Sequence, residues 1–328
     1  MATTATPLAA LIPGGRRHPG KPIVCKSRAL SHEVVCCHSR LLLFPAINVS
    51  VLSTTAGSTP LTELDFTRPM TFSQYFHLLN VHALMRLRAD ASKYSLGFFW
   101  WLLEPLLWVA VFFVVFNLIL DSGRKSGDFI VFLACGKFAF LWFSKAVIQA
   151  SNSIVASQGL VGKINVPKSL FPMAAIQESL YRQSTVYLLL VAVLWMSGFA
   201  PSAVWLWMVP VVFVTWLMIV GCGLAGAYLV CVWRDFQKFI PLAMTFLMFT
   251  SGIFWDIRAL GSEEKTQFLL TINPLAFILD AHRQVLMHGV APDAGHLAIV
   301  GLGFAALALF VGVLMKRHGR YLALRVLT

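Results

Sequence analysis

The pattern of apolar and polar positions divides the chain near residue 70. Before that point no apolar run lasts: prolines and glycines from Pro13 to Pro22 break the first part, and the stretch from Leu41 to Leu52 is interrupted by Pro45 and Asn48. A membrane span needs roughly 18–20 consecutive apolar residues. A secretory leader needs a basic segment directly followed by an apolar one, whereas the basic residues here are scattered from Arg16 to Arg40. Residues 1–70 therefore read as a disordered extension or a wrongly assigned start, with Met70 as the alternative start.

From Phe72 to Arg88 the apolar residues Phe72, Tyr75, Phe76, Leu79, Ala83, Met85 and Leu87 recur at steps of mostly three or four, with Gln74, His77, Asn80 and Arg88 between them. That period predicts an amphipathic helix. Basic and directly ahead of a span, it is expected in the headgroup plane, with Phe76, Arg86 and Arg88 as its interface residues. Trp100 and Trp101 suit the membrane boundary, and the chain is almost continuously apolar from Phe98 to Leu120. Further apolar stretches follow at Phe129–Ile154, Phe171–Met196, Ala203–Val232, Phe239–Phe254 and Leu297–Met315, so the predicted fold is an all-α polytopic membrane protein of six spans.

The connection between the fifth and sixth spans holds two apolar runs too short to cross, Phe268–Ile272 and Leu275–Leu279, split by Asn273-Pro274. Such broken pieces predict re-entrant or interfacial helices. Asp280, His282 and Arg283 lie among them and invite a catalytic reading. On a helix, however, Asp280 and His282 point about 200° apart, and Asp280 with Arg283 at three residues' spacing reads as an ordinary surface ion pair.

Composition agrees with the pattern. Hydrophobic residues make up 58% and charged residues 12%, with a mean hydropathy of +0.75, against about 25% charged in soluble domains. The net charge of +12 fits loops facing anionic lipid, and no basic run interleaved with aromatics favours nucleic acid. With the amino terminus inside, the cytoplasmic loops hold Arg86, Arg88, Lys93, Lys163, Lys168, Arg234, Lys238, Lys316, Arg317, Arg320 and Arg325, while most acidic residues fall outside. Both termini are thus expected in the cytoplasm.

Ionisable groups inside spans are costly in lipid and should face protein or water. Glu104 lies early in the first span, Lys137 and Lys145 share one face of the second, and Arg182 sits in the third beside Gln177, Glu178 and Gln183. Trp108, Lys137, Lys145 and Arg182 form a candidate substrate path with a positive lining; the competing expectation is that these cations simply pair with Glu178 or Glu104. Arg234 and Asp235, adjacent at a cytoplasmic helix exit, are expected to form an ion pair or to cap helix ends.

Cys135, Cys222 and Cys231 fall in apolar stretches and read as buried free thiols, while Cys25, His32, Cys36, Cys37 and His38 match no zinc spacing. The sequence contains no Gly-x-x-x-x-Gly-Lys-Ser/Thr, no His-Glu-x-x-His and no Gly-x-Ser-x-Gly. No cofactor, metal or catalytic residue is expected, and any energy from ATP would have to come from another chain.

Five segments carry a resemblance: RADASKYSLGFFWWLLEPL at Arg88–Leu106, GKFAFLWFSKAVIQASNSIV at Gly136–Val155, VGKINVPKSLFPMAA at Val161–Ala175, Trp233-Arg234-Asp235, and NPLAFILDAHRQVLMHG at Asn273–Gly289. In this order the chain from about Phe72 to Arg325 resembles the permease subunits of ABC-2 type transporters that export capsular polysaccharide, O-antigen or teichoic acid chains. The resemblance implies a permease domain over residues 71–328, a homodimer, and two copies of an ABC ATPase subunit that binds the ATP. It also implies a coupling region with Gly162, Lys163, Pro167 and Lys168, and a lipid-linked polysaccharide moved outward across a bacterial inner membrane. Residues 1–70 are foreign to the family pattern, and Asn165-Val166-Pro167 departs from an aromatic that often precedes that proline. An exporter of a small lipid or drug, or a polytopic enzyme acting on lipid-linked sugars, would be alternative readings.

Overall fold

The computed structural model describes residues 71–115, 127–161 and 166–327. The expectations for residues 1–70, the end of the first span, and the coupling residues Gly162 and Lys163 fall outside them.

Every regular element among the described residues is helical. The amphipathic period gives α1, Phe72–Ser92, one turn longer than the pattern predicted. Its buried residues Leu79, Ala83 and Ala91 face protein, and Leu79 packs with Leu170 and Ala174. Phe72, Phe76 and Met85 stay exposed. The helix thus lies against the bundle as well as presenting an apolar edge. A bend of 93° separates it from the next helical stretch, made possible by Gly97, whose φ of 52° is a left-handed conformation favoured by glycine.

After a 3-10 turn at Gly97–Phe99 comes α2, Trp100–Phe113. Then follow α3, Gly127–Ala156; a single turn α4, Gln158–Val161; and α5, Leu170–Met196. The fourth predicted span is a 3-10 turn, Ala203–Trp207, running into α6, Met208–Val232. The fifth is shorter than predicted: α7 covers Phe236–Thr250 and ends before Phe254. Next are a 3-10 turn at Ile257–Leu260, α8 at Glu263–Ile272, α9 at Pro274–Arg283 and a π-helical turn at Gln284–His288. The chain closes with α10, Ala294–Arg317, and α11, Gly319–Leu327.

Three of these stretches are long and apolar enough to cross a membrane: Phe129–Ala156, Ala203–Val232 and Ala294–Arg317. The third predicted span, α5, has the length, at 27 residues. What it lacks is an apolar first half, because Gln177, Glu178, Arg182 and Gln183 fall there.

The core sits where α6 meets α3, α5 and α10. Small residues make this possible. Gly223 lies against Ala150 and Ile176, Gly226 against Ser151, and Gly221 against the Phe304 backbone of α10, so a methyl group on any of them would meet a neighbour. Gly223 and Gly226 serve the contact with α3 and Gly221 the contact with α10; small residues at such interfaces let backbones approach closely, the usual way helices associate where apolar burial alone gives no drive. The outward sides of α10 and α6 keep Leu302 and Leu309 at 72% exposure and Val209 at 69%, as expected of faces turned to lipid rather than water.

The two ends of the bundle differ. At one, α1 covers the start of α5, and α11 packs on the end of α6, with Tyr228 Oη 3.2 Å from His318 Nδ1. At the other, the start of α3 and the end of α5 enclose Leu286 of the π-helical turn in a second cluster with Cys135, Phe138 and Leu190. The cysteines Cys135 and Cys231 are buried free thiols and Cys222 is half-buried.

Candidate functional site

At the α1 end, charge is concentrated between α1, α2, α3 and α5. Glu178, four residues before Arg182 on α5, has a side chain only 4% exposed. One of its oxygens accepts from Arg86 of α1 at 2.9 Å and the other from Arg182 at 2.6 Å. Arg182 also lies 3.5 Å from Asp90 of α1, and its guanidinium sits 5.4 Å from the Trp101 ring centre. The buried carboxylate is therefore matched by two guanidiniums, the condition under which burying a charge is tolerable. Tyr181 adds a hydrogen bond to Asn80 at 3.1 Å, and Tyr75 lies 3.5 Å from the Ser169 hydroxyl. Together these polar contacts bind α1 to α5.

Beside this group is a cavity of about 50 Å³ enclosed by α2, α3 and α5, with Trp101, Glu104, Trp142, Lys145, Arg182 and Gln183 among its walls. Lys145 and Glu104 form an ion pair across it. Arg182 Nε and Gln183 Nε2 are buried there without a hydrogen-bond partner among the described residues. The space suits a few waters and is well below the ~300 Å³ of an ordinary small-molecule pocket.

The structure therefore places the four candidate path residues in two adjoining groups. Lys145 and Arg182 line the cavity. Lys137 lies farther along the same face of α3, buried, with its ammonium 4.3 Å from the Trp108 ring centre and 3.1 Å from Met248 Sδ. Pairing with Glu104 and Glu178 and a positive, aromatic lining coexist here.

The remaining sequence-predicted residues are spread around the same end. Arg88 and Phe76 are exposed on α1. Pro167 and Lys168 precede α5, with the Pro167 carbonyl accepting from Leu170 N at 3.0 Å. Burial lowers the pKa of the Lys168 ammonium. Arg234, expected to pair with Asp235 or to cap a helix end, donates to the Val326 carbonyl at 3.1 Å. That carbonyl belongs to the last turn of α11, where helical C=O groups lack intrahelical partners and attract cations.

At the opposite end the expected surface pair between Asp280 and Arg283 is not formed. Asp280 is buried and pairs with Arg258, which reaches both its oxygens at 2.9–3.2 Å, and with Gln284 at 2.6 Å, rather than forming a surface pair with Arg283. Donating to the Asp280 carboxylate raises the pKa of the Arg258 guanidinium. Arg283 turns inward instead, donating to the carbonyls of Gly252 at 2.8 Å, Ile253 at 3.1 Å and Phe132 at 3.3 Å. Its guanidinium lies 3.6 Å from the Phe132 ring centre. His282 is fully buried between Tyr187 Oη at 3.0 Å and the Ile278 carbonyl at 2.8 Å. These contacts fasten α9 to α3, α5 and the end of α7. The pairing of Arg182 with Glu178 and of Lys145 with Glu104 is as the sequence led one to expect; spacing of four residues could have flagged Asp280 with Gln284, and nothing in the sequence pointed to Arg86, Asp90 or Arg258 as further partners.

A family model described as ABC-2 type transporter matches residues 95–287, which takes in the cavity and the contacts of Asp280 with Arg258 and Gln284. Among curated proteins, the chain is 25% identical over 217 residues to the O-antigen export system permease protein RfbA of Klebsiella pneumoniae, covering 66% of this chain and 82% of that protein. It is 26% identical over 241 residues to the polysialic acid transport protein KpsM of Escherichia coli, covering 71% and 90%. The RfbA protein of Myxococcus xanthus is 22% identical over 225 residues.

Proposed function

The chain belongs to the ABC-2 type transporter family, and from that premise we propose that it is the permease subunit of an ATP-driven exporter moving lipid-linked polysaccharide outward across a bacterial inner membrane. The observation that carries this reading is the similarity to relatives named for O-antigen export and polysialic acid transport, which runs over 82% and 90% of their lengths. In this reading ATP is hydrolysed by a partner ABC ATPase, which agrees with a sequence that holds no Gly-x-x-x-x-Gly-Lys-Ser/Thr. Two copies of that subunit with two copies of this chain are the expected assembly.

In this reading the three long apolar helices are joined as spans by α2, by α5 and by the short α7, giving six, with both termini cytoplasmic. The α1 end is then the cytoplasmic face, and α8 and α9 are re-entrant helices of the outer leaflet. The segment containing Gly162, Lys163, Pro167 and Lys168 receives the ATPase, and it leads directly into α5. Because Arg86 and Asp90 tie α1 to Glu178 and Arg182, a push on that segment moves α5 and α1 together against α2 and α3. The narrow cavity holding Lys145 and Arg182 lies at that boundary, so widening it would open a positive, aromatic-lined entrance. Interactions with differing strength in the two states are what such a motion requires.

Deletion of the encoding sequence tests the reading. Lipid-linked glycan should accumulate on the cytoplasmic side and surface glycan should disappear, both restored by the intact chain. Normal surface glycan in the deletion strain would overturn it.

A further inference from the structure

Beyond the α1 end lies a larger cavity, about 750 Å³, between α8, α9 and the start of α10. Its size falls within the roughly 300–1,000 Å³ of small-molecule sites, which are mostly apolar. This one is lined mainly by polar side chains. We propose that it holds an uncharged, hydroxyl-rich saccharide segment and disfavours polyanionic chains, so that the exported glycan is a neutral one; this rests on the permease reading above.

Three features carry the inference. The first is charge. Arg258 is the cation of the lining, and it is already held at 2.9–3.2 Å by both oxygens of Asp280. Glu263 and Asp293 line the same space, so carboxylates outnumber the guanidinium that would have to receive an anion. The second is hydrogen-bonding character. Carboxylates accept from sugar hydroxyls. Asp293 spends Oδ1 on Gly295 N and His296 N at the start of α10, at 2.9 and 3.3 Å, while Glu263 is exposed in the first turn of α8. The third is an aromatic wall: His296 and Phe277 both line the cavity, their rings stacked at 4.1 Å and 17°. A flat ring beside acceptor-rich carboxylates suits the apolar C–H face and the hydroxyl edge of a hexose.

The test is saturation-transfer NMR on the intact chain in lipid nanodiscs, with two probes: a neutral galactose tetrasaccharide and an α2,8-linked sialic acid tetramer. Transfer to the neutral probe should exceed that to the sialic acid probe at least tenfold. Glu263→Gln should weaken the neutral signal several-fold, and because Glu263 is exposed this variant keeps its fold. Glu263→Gln with Asp293→Asn should narrow the discrimination, and His296→Ala should remove transfer to the ring C–H protons. Equal or stronger transfer to sialic acid, no transfer to the neutral probe, or a neutral signal indifferent to all three variants would overturn the inference. Retained export and ATPase association alongside such a result would leave the permease reading standing. A chain that binds the neutral probe yet exports no glycan keeps the site and overturns that reading instead.

Discussion

Arg86 on α1 and Glu178 on α5 meet at 2.9 Å although 92 residues separate them in sequence. Glu178 is buried, so its two guanidinium partners compensate its charge, and they in turn depend on it. Glu178→Ala should therefore destabilise the chain by about 3–5 kcal/mol, the usual loss when one member of a buried ion pair is removed. A thermal-unfolding midpoint in detergent within experimental scatter of the native one would show that the contact is incidental. Arg86→Glu alone should release α1, read as faster hydrogen exchange over residues 72–92, and adding Glu178→Arg should partly restore protection.

The His82 imidazole, on the same helix, is held below its ordinary pKa by burial and next by the charge of Arg86, with Glu178 acting the other way. Its Nδ1 is buried without a partner among the described residues. A histidine kept neutral in the folded state contributes stability that is fully present above its unfolded pKa of about 6.5 and is lost as pH falls through its lowered folded value. Exchange protection of α1 should thus weaken as pH falls below about 6.5, and His82→Phe should flatten that dependence. A dependence unchanged in the variant would assign the effect to another group.

The Arg283 guanidinium occupies the space beside Gly136 on α3, where a methyl group would collide with it. Gly136→Ala should push the guanidinium from the carbonyls of Gly252 and Ile253 and cost about 1–3 kcal/mol, the range for overpacking a filled interior. Arg283→Lys should be at least as damaging, because one ammonium cannot reproduce the planar fork across three carbonyls. Unaltered thermal midpoints for both would contradict this role.

Much of the architecture was legible from periodicity. The three-to-four step of Phe72–Arg88 located α1, and the apolar runs located α3, α6 and α10 to within a few residues, because lipid-facing and core-facing positions both demand apolar side chains there. Asn273-Pro274 marked the break between α8 and α9 for a local reason: the Asn273 side chain accepts from Leu275 N and Ala276 N, and proline fits the first helical turn. The pairing of Lys145 with Glu104 and of Arg182 with Glu178 was among the expectations; the other partners of charged residues were not legible. Arg258 lies 22 residues from Asp280 and Arg234 lies 92 from Val326, and only the packing of distant helices brings such pairs together. For the same reason the sequence grouped Lys137, Lys145, Arg182 and Trp108 without revealing that Lys137 and Trp108 stand apart from the cavity.

Those four residues carry a prediction for transport. Lys145→Ala removes the partner of Glu104 and one cation of the cavity wall. Lys137→Met keeps most of the volume between Trp108 and Met248 while removing charge. If the positive lining serves passage of substrate, the double variant should lower export at least tenfold at normal membrane abundance. Undiminished export would reduce these lysines to structural members of α3.

The most direct test of the central claim is purification of the chain in mild detergent, co-expressed with the ABC ATPases of its host, followed by vanadate-sensitive ATP hydrolysis. The account predicts a stable complex in which an ATPase co-elutes with this chain and hydrolyses ATP, and it predicts loss of that complex when Pro167 and Lys168 are both replaced by glutamate. A chain that purifies alone against every ATPase offered, with no hydrolysis in its fractions, would contradict the claim that it is the membrane half of an ATP-driven exporter.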